Sequence, residues 1–575
     1  METNNISLTP IQRFWRLLKP DRREIRNVYI YAIFNGLVSL SLPLGIQAIV
    51  NLIQGGQINS SWVILVTFVV LGVLISGVLQ IHQLRITENL QQKIFTRAAF
   101  EFSYRLPRIR LEALYKHYAP ELMNRFFDII SVQKGLPKVL IDFLTASLQA
   151  IFGLILLSFY HPFFILFSLL LIALIYTIFR FTGKNGLTTS LEESKHKYRM
   201  AHWLEDLART ATTLKLAGKT DLPLHMTDDH AGEYLKARRS HFRILVKQYS
   251  LMVIFKVLVA TGLLAIGGIL VMKQLMNIGQ FIAAEIIILL IMNSVEKLIL
   301  SLETIYDVLT ALAKIGEVTD LELEKEFGME VEDQFTDGGM RIELNDVTFS
   351  YPGQTLKILN KLSLAIENGE RLTITGDNNS GKSTLLKILA GLYDVQQGNI
   401  SYNDLPKGNL DPASLRELIG GAYSDQETLF EGTILENITL GRKTASFKNV
   451  QWVIENIGLS SWIKSLPHGY ETELEPRGKN VAGSIAQKLL LARSIVHKPK
   501  ILIIEDTFHR INVKDRKQII DFLMNRENQW TVVMISNDPY VARSSDRVAL
   551  MKSGEVVQIG SYTTIQSNLK MESHA

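Results

Sequence analysis

The stretch Gly376-Asp-Asn-Asn-Ser-Gly-Lys-Ser-Thr384 decides the fold of this chain. The apolar run 371–375 before it predicts a β-strand, and 385–390 after it predicts a helix. A strand, a glycine-rich loop and a helix in this order form a phosphate-binding loop, because backbone amides and the helix N-terminus point at the anion. The sequence therefore predicts a nucleotide site in which Lys382 reaches the β- and γ-phosphates and the hydroxyl of Ser383 ligates Mg²⁺.

The residues around this loop predict a soluble α/β domain over 340–575, because short apolar runs alternate there with helical patterns. An acidic linker, 321–339, precedes this domain. The expected ligands are ATP and Mg²⁺. The other loop residues expected to contact the nucleotide are Gly376, Asn379, Ser380, Gly381 and Thr384.

The composition of the whole chain indicates a membrane protein. Of its 575 residues, 47% are hydrophobic and only 20% are charged. The net charge is 61 − 56 = +5, with a basic excess in 1–320 and an acidic excess in 321–575. There is no cysteine, which excludes disulfides, thiol catalysis and Cys-ligated metal sites.

Six apolar stretches in the first half are long enough to span a bilayer. Soluble core helices are disfavoured because several stretches run for nearly twenty residues almost without charge. Lys and Arg concentrate in the loops 85–138 and 180–247, so both termini and the α/β domain are expected in the cytoplasm. These loops also carry helical patterning. The predicted spans are 25–53, 61–83, 139–160, 162–180, 249–272 and 278–300.

Residues 1–24 precede the membrane domain, 25–320, and predict an amphipathic helix at the interface. Ile11, Phe14, Trp15 and Leu18 share one helical face, and basic residues surround them. A solvated basic tail is the alternative.

Polar residues inside the spans are candidates for an internal cavity. At a rise of about 1.5 Å per residue, Lys256 and Glu296 reach nearly the same depth on oppositely running spans. We therefore expect these two side chains to pair. Glu285, nearer the outer side, has no such partner in the sequence. The alternative for Lys256 is that its ammonium extends to the lipid headgroups.

Six spans followed by a phosphate-loop domain resemble the exporter class of ATP-binding cassette (ABC) transporters over nearly the whole chain. The resemblance implies an α-helical six-span transmembrane domain plus an α/β P-loop nucleotide-binding domain. It implies that Tyr351, ahead of the first strands of the α/β domain, stacks on adenine. Glu121–Arg125 and Ala211–Leu216 lie where such exporters have the coupling helices that dock onto the cassette.

Several positions depart from the pattern of this family. The glutamine of its glutamine loop aligns with Asp425, and Gln426 is displaced by one residue. The alternative is a one-residue deletion that leaves Gln426 in this role. The family's Leu-Ser-Gly-Gly-Gln signature is replaced by Val481-Ala482-Gly483-Ser484-Ile485, so the serine that contacts the γ-phosphate is lost. Gly483 and Ser484 are the residues of this segment that we still expect at the nucleotide. The helix N-terminus there still offers backbone amides to phosphate.

The predicted catalytic residues are also altered. The strand 501–504 ends in Glu505-Asp506, whereas the family ends in Asp-Glu, where the first acid serves Mg²⁺ and the second is the general base. The side chain of Glu505 is still long enough to reach Mg²⁺. The side chain of Asp506 is shorter than that of glutamate and is expected to hold the attacking water too far from the γ-phosphate. Asn537 stands in place of the switch histidine. It donates a hydrogen bond but is never cationic.

Two functions are therefore expected. The first is a half-transporter that binds ATP and couples cassette closure to export of a substrate. Its first cytoplasmic loop resembles most the loops of exporters of peptides and secreted proteins, and a lipid or drug cargo is the alternative. The second is a non-hydrolysing ATP-binding subunit that supports a catalytically complete partner. Hydrolysis is expected to be slow or to depend on a partner.

The expected partners are membrane lipid and a second half-transporter, which is either the same chain or another. No nucleic acid is expected, because the basic excess belongs to cytoplasmic loops near lipid. The expected location is a bacterial inner membrane. No peptidase domain is expected ahead of the first helix.

Overall fold

A computed structural model of the chain describes residues 8–54, 60–326, 328–331, 338–423, 429–505, 508 and 510–566. The chain divides into two compact units. The first, which we call the membrane unit, comprises 1–107 and 117–321. The second, the nucleotide unit, comprises 108–116 and 322–575, so it includes a short segment from the first cytoplasmic loop.

Every secondary-structure element of the membrane unit in its described residues is a helix. Six helical stretches in it are long and apolar enough to cross a membrane, which confirms the six predicted spans. Two π-helical turns, Lys138–Phe143 and Leu263–Gly267, lie within the third and fifth stretches. The helices are α1 (Pro10–Leu18), α2 (Arg22–Ser39), α3 (Ser41–Gln54), α4 (Ser60–Arg105), α6 (Ala119–Met123), α7 (Asp128–Pro137), α8 (Leu144–Ser158), α9 (Pro162–Arg209), α10 (Ala211–Leu216), α11 (Leu222–Gly262), α12 (Gly268–Met272) and α13 (Ile278–Thr319), while α5 (Leu111–Leu114) belongs to the nucleotide unit.

Four of these helices continue far beyond a bilayer. Helix α9 has 48 residues, and α4, α11 and α13 have 46, 41 and 42. At about 1.5 Å per residue, α9 is about 72 Å long, against a hydrocarbon core of about 30 Å. The two long loops therefore consist mainly of helices continuous with the spans.

The predicted ion pair between the fifth and sixth spans is present. Nζ of Lys256 on α11 donates to Oε2 of Glu296 on α13 at 2.7 Å, and about 30% of each side chain is exposed. Glu285 is half-buried, and within the described residues its carboxylate has no hydrogen bond or ion pair. The ion pair predicted from helix rise is therefore confirmed. The ammonium of Lys256 binds Glu296 instead of extending to the lipid headgroups.

The N-terminal helix is fixed by local bonds and by one buried side. Thr9 and Gln12 form a capping box at the start of α1. Leu18 is 2% exposed, whereas Ile11 and Trp15 are 54% and 58% exposed. The predicted apolar face is thus divided, with Leu18 inside the protein and Trp15 outside it.

The nucleotide unit contains two main sheets. One is four-stranded and has the order β2-β1-β4-β5; the other is six-stranded and has the order β12-β11-β3-β10-β9-β6. A short pair, β7 and β8, lies apart. The strands are β1 (Ile342–Phe349), β2 (Leu359–Ile366), β3 (Arg371–Gly376), β4 (Gln397–Tyr402), β5 (Leu405–Pro406), β6 (Ile419–Ala422), β7 (Gly432–Thr433), β8 (Glu473–Leu474), β9 (Ile501–Glu505), β10 (Thr531–Ile535), β11 (Arg547–Lys552) and β12 (Glu555–Gly560).

Helices pack around these sheets, and two apolar clusters form the core. The helices are α14 (Lys382–Leu389), α15 (Pro412–Glu417), α16 (Ile434–Thr439), α17 (Phe447–Asn456), α18 (Ser460–Ser465), α19 (Gly483–Ile495), α20 (Val513–Met524) and α21 (Pro539–Arg543).

The centre of the six-stranded sheet positions the predicted site. Strands β3, β10 and β9 are parallel neighbours, and Ile535 pairs with both Ile374 and Glu505. Their near-continuous apolar sequences are typical of strands buried on both faces. Because the strands run the same way, their carboxyl ends meet at one edge of the sheet, where ligands of open α/β folds bind.

The first cytoplasmic loop enters the nucleotide unit upstream of the predicted coupling helix. Residues 108–116 belong to that unit, whereas Glu121 and Arg125 belong to the membrane unit. The coupling role of Glu121–Arg125 stays a prediction. Ile109 forms an antiparallel bridge with Leu323, in the linker. Such a pairing joins residues more than 200 positions apart, which a local sequence pattern cannot indicate.

Candidate nucleotide-binding site

The loop between β3 and α14 has the backbone of an anion-binding turn. Gly376, Asn379 and Gly381 have φ values of 143°, 65° and 96°, in the region that favours glycine. A Cβ atom at Gly376 would lie 2.1 Å from the carbonyl oxygen of Met551, and one at Gly381 would lie 2.8 Å from that of Ile358. Glycine at these two positions therefore lets the loop turn tightly, so that its amides converge on one point.

The ammonium of Lys382 is held inside this loop. Its Nζ donates to the carbonyl oxygens of Gly376 and Asp377 at 2.9 and 2.6 Å, and to Oγ of Ser380 at 3.2 Å. Burial lowers the pKa of Lys382, and the nearby carboxylates of Asp377 and Glu505 oppose that shift. A phosphate in the loop would offer this cation a charged partner in place of neutral carbonyls.

Ser383 and Glu505 meet across the sheet edge. The hydroxyl of Ser383, in the first turn of α14, donates to Oε1 of Glu505, the last residue of β9. A hydroxyl and a carboxylate are hard oxygen donors of the kind that Mg²⁺ prefers, and Mg²⁺ usually takes only one or two protein ligands beside phosphates and water. The two predicted metal ligands thus lie together and suit a magnesium–nucleotide complex.

Tyr351 lies beside the same loop, but it follows β1 instead of preceding the first strand as expected. Its hydroxyl and Oγ1 of Thr384 are 3.0 Å apart. Burial raises the pKa of this phenol. Its half-buried ring therefore lies close to the N-terminus of α14.

One face of the Tyr351 ring is covered by Tyr115, from the loop segment that belongs to the nucleotide unit. The two rings are stacked, with centroids 4.8 Å apart and planes at 10°. The hydroxyl of Tyr115 accepts a hydrogen bond from Nε2 of Gln354 at 3.0 Å. Sequence reasoning missed this residue, since nothing in the loop sequence connects it with Tyr351.

The segment that carries Tyr115 is firmly attached to the nucleotide unit. Arg110 pairs with Glu322 and with Asp394, each at 3.0 Å, and Oε1 of Glu112 accepts from the backbone amide of Asp394 at 2.9 Å. Leu111 packs against the apolar core of this unit. Tyr115 is therefore positioned by several contacts and does not depend on the stack alone.

Asn537 follows β10 and lies next to the start of the phosphate loop. Its Oδ1 accepts a hydrogen bond from Oγ1 of Thr375 at 2.9 Å. The structure thus gathers Asn537, Lys382, Ser383 and Glu505 at one sheet edge. Three further candidates, Asp425, Gln426 and Asp506, lie outside the described residues.

Gly483 and Ser484 lie elsewhere in the nucleotide unit. They are the first two residues of α19, and the preceding Ala482 makes no side-chain cap. The amides of this helix end are thus free of a side-chain cap, as the sequence suggested. Within the described part of the chain, neither residue shares a hydrogen bond with the phosphate loop. The structure therefore does not bring these two candidates together with Lys382.

Both units match models of known protein families. Residues 26–295 match the family model described as ABC transporter transmembrane region, and 359–509 match ABC transporter. The fold is similar to the structure of a bacterial Atm1-family ABC exporter with ATP bound, with a TM-score of 0.82 and 18% identity over 95% of this chain and 96% of that one.

Two similar sequences come from curated bacterial proteins. The transport/processing ATP-binding protein ComA of Streptococcus pneumoniae serotype 4 is 24% identical over 96% of this chain and 76% of its own length. The lactococcin-A transport/processing ATP-binding protein LcnC of Lactococcus lactis subsp. lactis is 22% identical over the same shares. With six spans and one nucleotide-binding domain, the chain belongs to the ABC transporter family as an exporter half-transporter.

Proposed function

We propose that this chain is the ATP-binding half of a dimeric exporter that moves a peptide or protein out of a bacterial cytoplasm. The observation that carries this proposal is the cluster of Lys382, Ser383 and Glu505 at the carboxyl edge of the parallel sheet. Two half-transporters are needed, because six spans and one cassette form half of the family's assembly. The second half is another copy or a different chain.

In this proposal each residue of the cluster has one task. Lys382 leaves the carbonyl oxygens of Gly376 and Asp377 and binds the β- and γ-phosphates of ATP. Ser383 and Glu505 would hold Mg²⁺, which would neutralise phosphate charge when bound. Asn537 contacts the γ-phosphate as a neutral donor. ATP binding closes the two cassettes, and closure is passed to the helices of the membrane unit.

A specific observation favours the second candidate, a subunit that binds ATP without hydrolysing it. Asn537 already accepts a hydrogen bond from Thr375 and cannot carry the positive charge of a histidine. The order Glu505-Asp506 and the altered 481–485 segment weaken the same reaction at two further points. In a dimer of identical chains, both nucleotide sites would carry all these changes. A dimer with a catalytically complete partner would therefore hydrolyse ATP faster than a dimer of two identical chains.

The peptide cargo is supported by the similar proteins, whose names describe transport and processing, one of them for lactococcin-A. The cytoplasmic position of the nucleotide unit is supported by the 23 Lys and Arg residues in the two long loops. Mg-ATP is supported by the geometry of the phosphate loop.

Transport into inside-out vesicles would test this proposal. Vesicles from the native host, whose cells supply the second half-transporter, are mixed with labelled peptides of the host's secreted fraction and Mg-ATP. We expect ATP-dependent accumulation of peptide in vesicles with the native chain and none with Lys382→Ala. Equal accumulation in the two preparations would contradict export by this chain.

The stack of Tyr115 on Tyr351 yields a second prediction. If adenine takes the covered face, Tyr115 must leave first, and an aromatic pair contributes about 0.5–1.5 kcal/mol. Tyr115→Ala is therefore expected to strengthen ATP binding by about two- to tenfold in calorimetric titration. Tyr118→Ala, a matched control in the same loop, should have no effect. Weaker binding by Tyr115→Ala would place adenine on the other face.

A further inference from the structure

A basic groove runs along the N-terminal helices of the membrane unit. It has a volume of about 720 Å³ and lies along α1, the turn after it and the first two turns of α2. Its eight lining residues fall into two chemical kinds. The apolar ones are Trp15, Leu18, Ile25 and Tyr29, and the basic ones are Arg16, Lys19, Arg22 and Arg26.

The four cations of this groove are exposed and have no acidic partner. Within the described residues, no hydrogen bond or ion pair is found for any of their side chains. The nearest acids along the chain are taken by α4, since Asp21 pairs with Arg97 at 3.0 Å and Glu24 with Lys93 at 2.6 Å. A strong positive charge is therefore left for an external anion.

The neighbouring Arg13 differs from these four cations, because it has an acidic partner. Both its terminal nitrogens bind the carboxylate of Asp320 at the end of α13. Arg13 thus serves the packing of the membrane unit, whereas the groove cations remain available to an external ligand.

The apolar wall of the groove suits a hydrocarbon chain. Trp15 is 58% exposed and Tyr29 is 37% exposed, while Leu18 closes the floor at 2%. Tryptophan and tyrosine concentrate where a membrane meets water, because their rings are apolar at one end and polar at the other. The groove lies at the start of the first candidate span, which begins at Pro10. It therefore combines charge and apolar surface at the start of this candidate span.

We propose that this groove is a binding site for an anionic phospholipid. The lipid phosphate lies among Arg16, Lys19, Arg22 and Arg26, and the first part of an acyl chain packs along Trp15 and Tyr29. Basic clusters on the cytoplasmic side of a span attract anionic lipids, each cation adding to the attraction. The bound lipid anchors α1 against the membrane surface, independently of the nucleotide site.

The test uses the full chain in detergent, with native mass spectrometry to count bound lipids. Phosphatidylglycerol and phosphatidylcholine with identical acyl chains are compared. We expect phosphatidylglycerol to bind at least about tenfold more tightly to the native chain, because four cations face the phosphate. Equal binding of the two lipids would overturn the proposal.

Two variants with the same charge loss identify the site. The groove variant combines Arg16→Gln, Lys19→Gln, Arg22→Gln and Arg26→Gln, and is expected to lose the preference. The control variant combines Lys134→Gln, Lys138→Gln, Lys215→Gln and Lys219→Gln, which are exposed elsewhere in the membrane unit, and is expected to keep it. If the control variant also lost the preference for phosphatidylglycerol, the preference would be a general effect of charge, and the proposed site would be wrong.

Two further measurements do not depend on folding of the groove variant. Brominated phosphatidylglycerol should quench the fluorescence of Trp15, measured as the difference between the native chain and Trp15→Phe, more than brominated phosphatidylcholine does. Inorganic phosphate should not displace the bound lipid. Absence of preferential quenching, or displacement by free phosphate, would contradict a lipid site.

Discussion

Lys382→Ala is expected to weaken ATP binding about 100-fold. The substitution removes two charge-assisted hydrogen bonds to phosphate, each contributing about 1.5 kcal/mol, and a loss of about 3 kcal/mol corresponds to about two orders of magnitude. The present contacts of Lys382 go to neutral oxygens, so its loss costs the ligand more than it costs the loop. Calorimetric titration of the purified chain in nanodiscs with Mg-ATP measures the effect.

Lys387→Ala is the matched control for this experiment. Lys387 is half-buried in the last turn of the same helix, so its removal deletes an equal charge away from the phosphate loop. Its affinity for ATP should stay within about twofold of the native value, because the charge is screened and distant. If Lys382→Ala binds ATP within threefold of the native chain, the loop does not hold the phosphates.

Exchanging the two acids back to the order of the family should increase phosphate release. The double variant Glu505→Asp and Asp506→Glu returns the longer side chain to the position of the general base. A well-placed base contributes about 10²- to 10⁴-fold, so we expect release to rise at least about tenfold even though Asn537 and the 481–485 segment remain altered. Release is measured with a coupled phosphate assay in nanodiscs at saturating Mg-ATP.

Two further variants test whether the gain comes from the restored base and requires bound phosphate. Asp506→Asn should change release little, because we expect Asp506 to contribute little as a base. Lys382→Ala added to the double variant should abolish the gain, since turnover then requires a bound phosphate. A double variant that releases phosphate no faster than the native chain would contradict the view that acid order limits hydrolysis.

The sequence was sufficient to predict a feature where a local pattern of residues allows only one structure. The strand, loop and helix around 376–384 were predicted because a phosphate loop requires glycine where φ is positive, as observed at Gly376 and Gly381. The ion pair of Lys256 and Glu296 was predicted because helix rise fixes depth, whatever the packing of the other spans.

The sequence was insufficient where contacts join distant segments. The bridge from Ile109 to Leu323 and the stack of Tyr115 on Tyr351 depend on how a membrane-domain loop meets a sheet formed some 230 residues later. The basic residues before the first span were visible, but only the structure shows that Asp21 and Glu24 face α4 and leave the groove cations unpaired. The structure also leaves the role of Asp506 a prediction from sequence.

We expect this half-transporter to bind ATP but to hydrolyse it slowly on its own. ATP binding and phosphate release are measured together on the purified chain in lipid nanodiscs, beside Lys382→Ala. We expect the native chain to bind ATP and to release phosphate at a rate within about twofold of that of the variant, because the side chain of Asp506 is too short to reach the attacking water. Release ten times above the variant would contradict it and indicate a self-sufficient exporter.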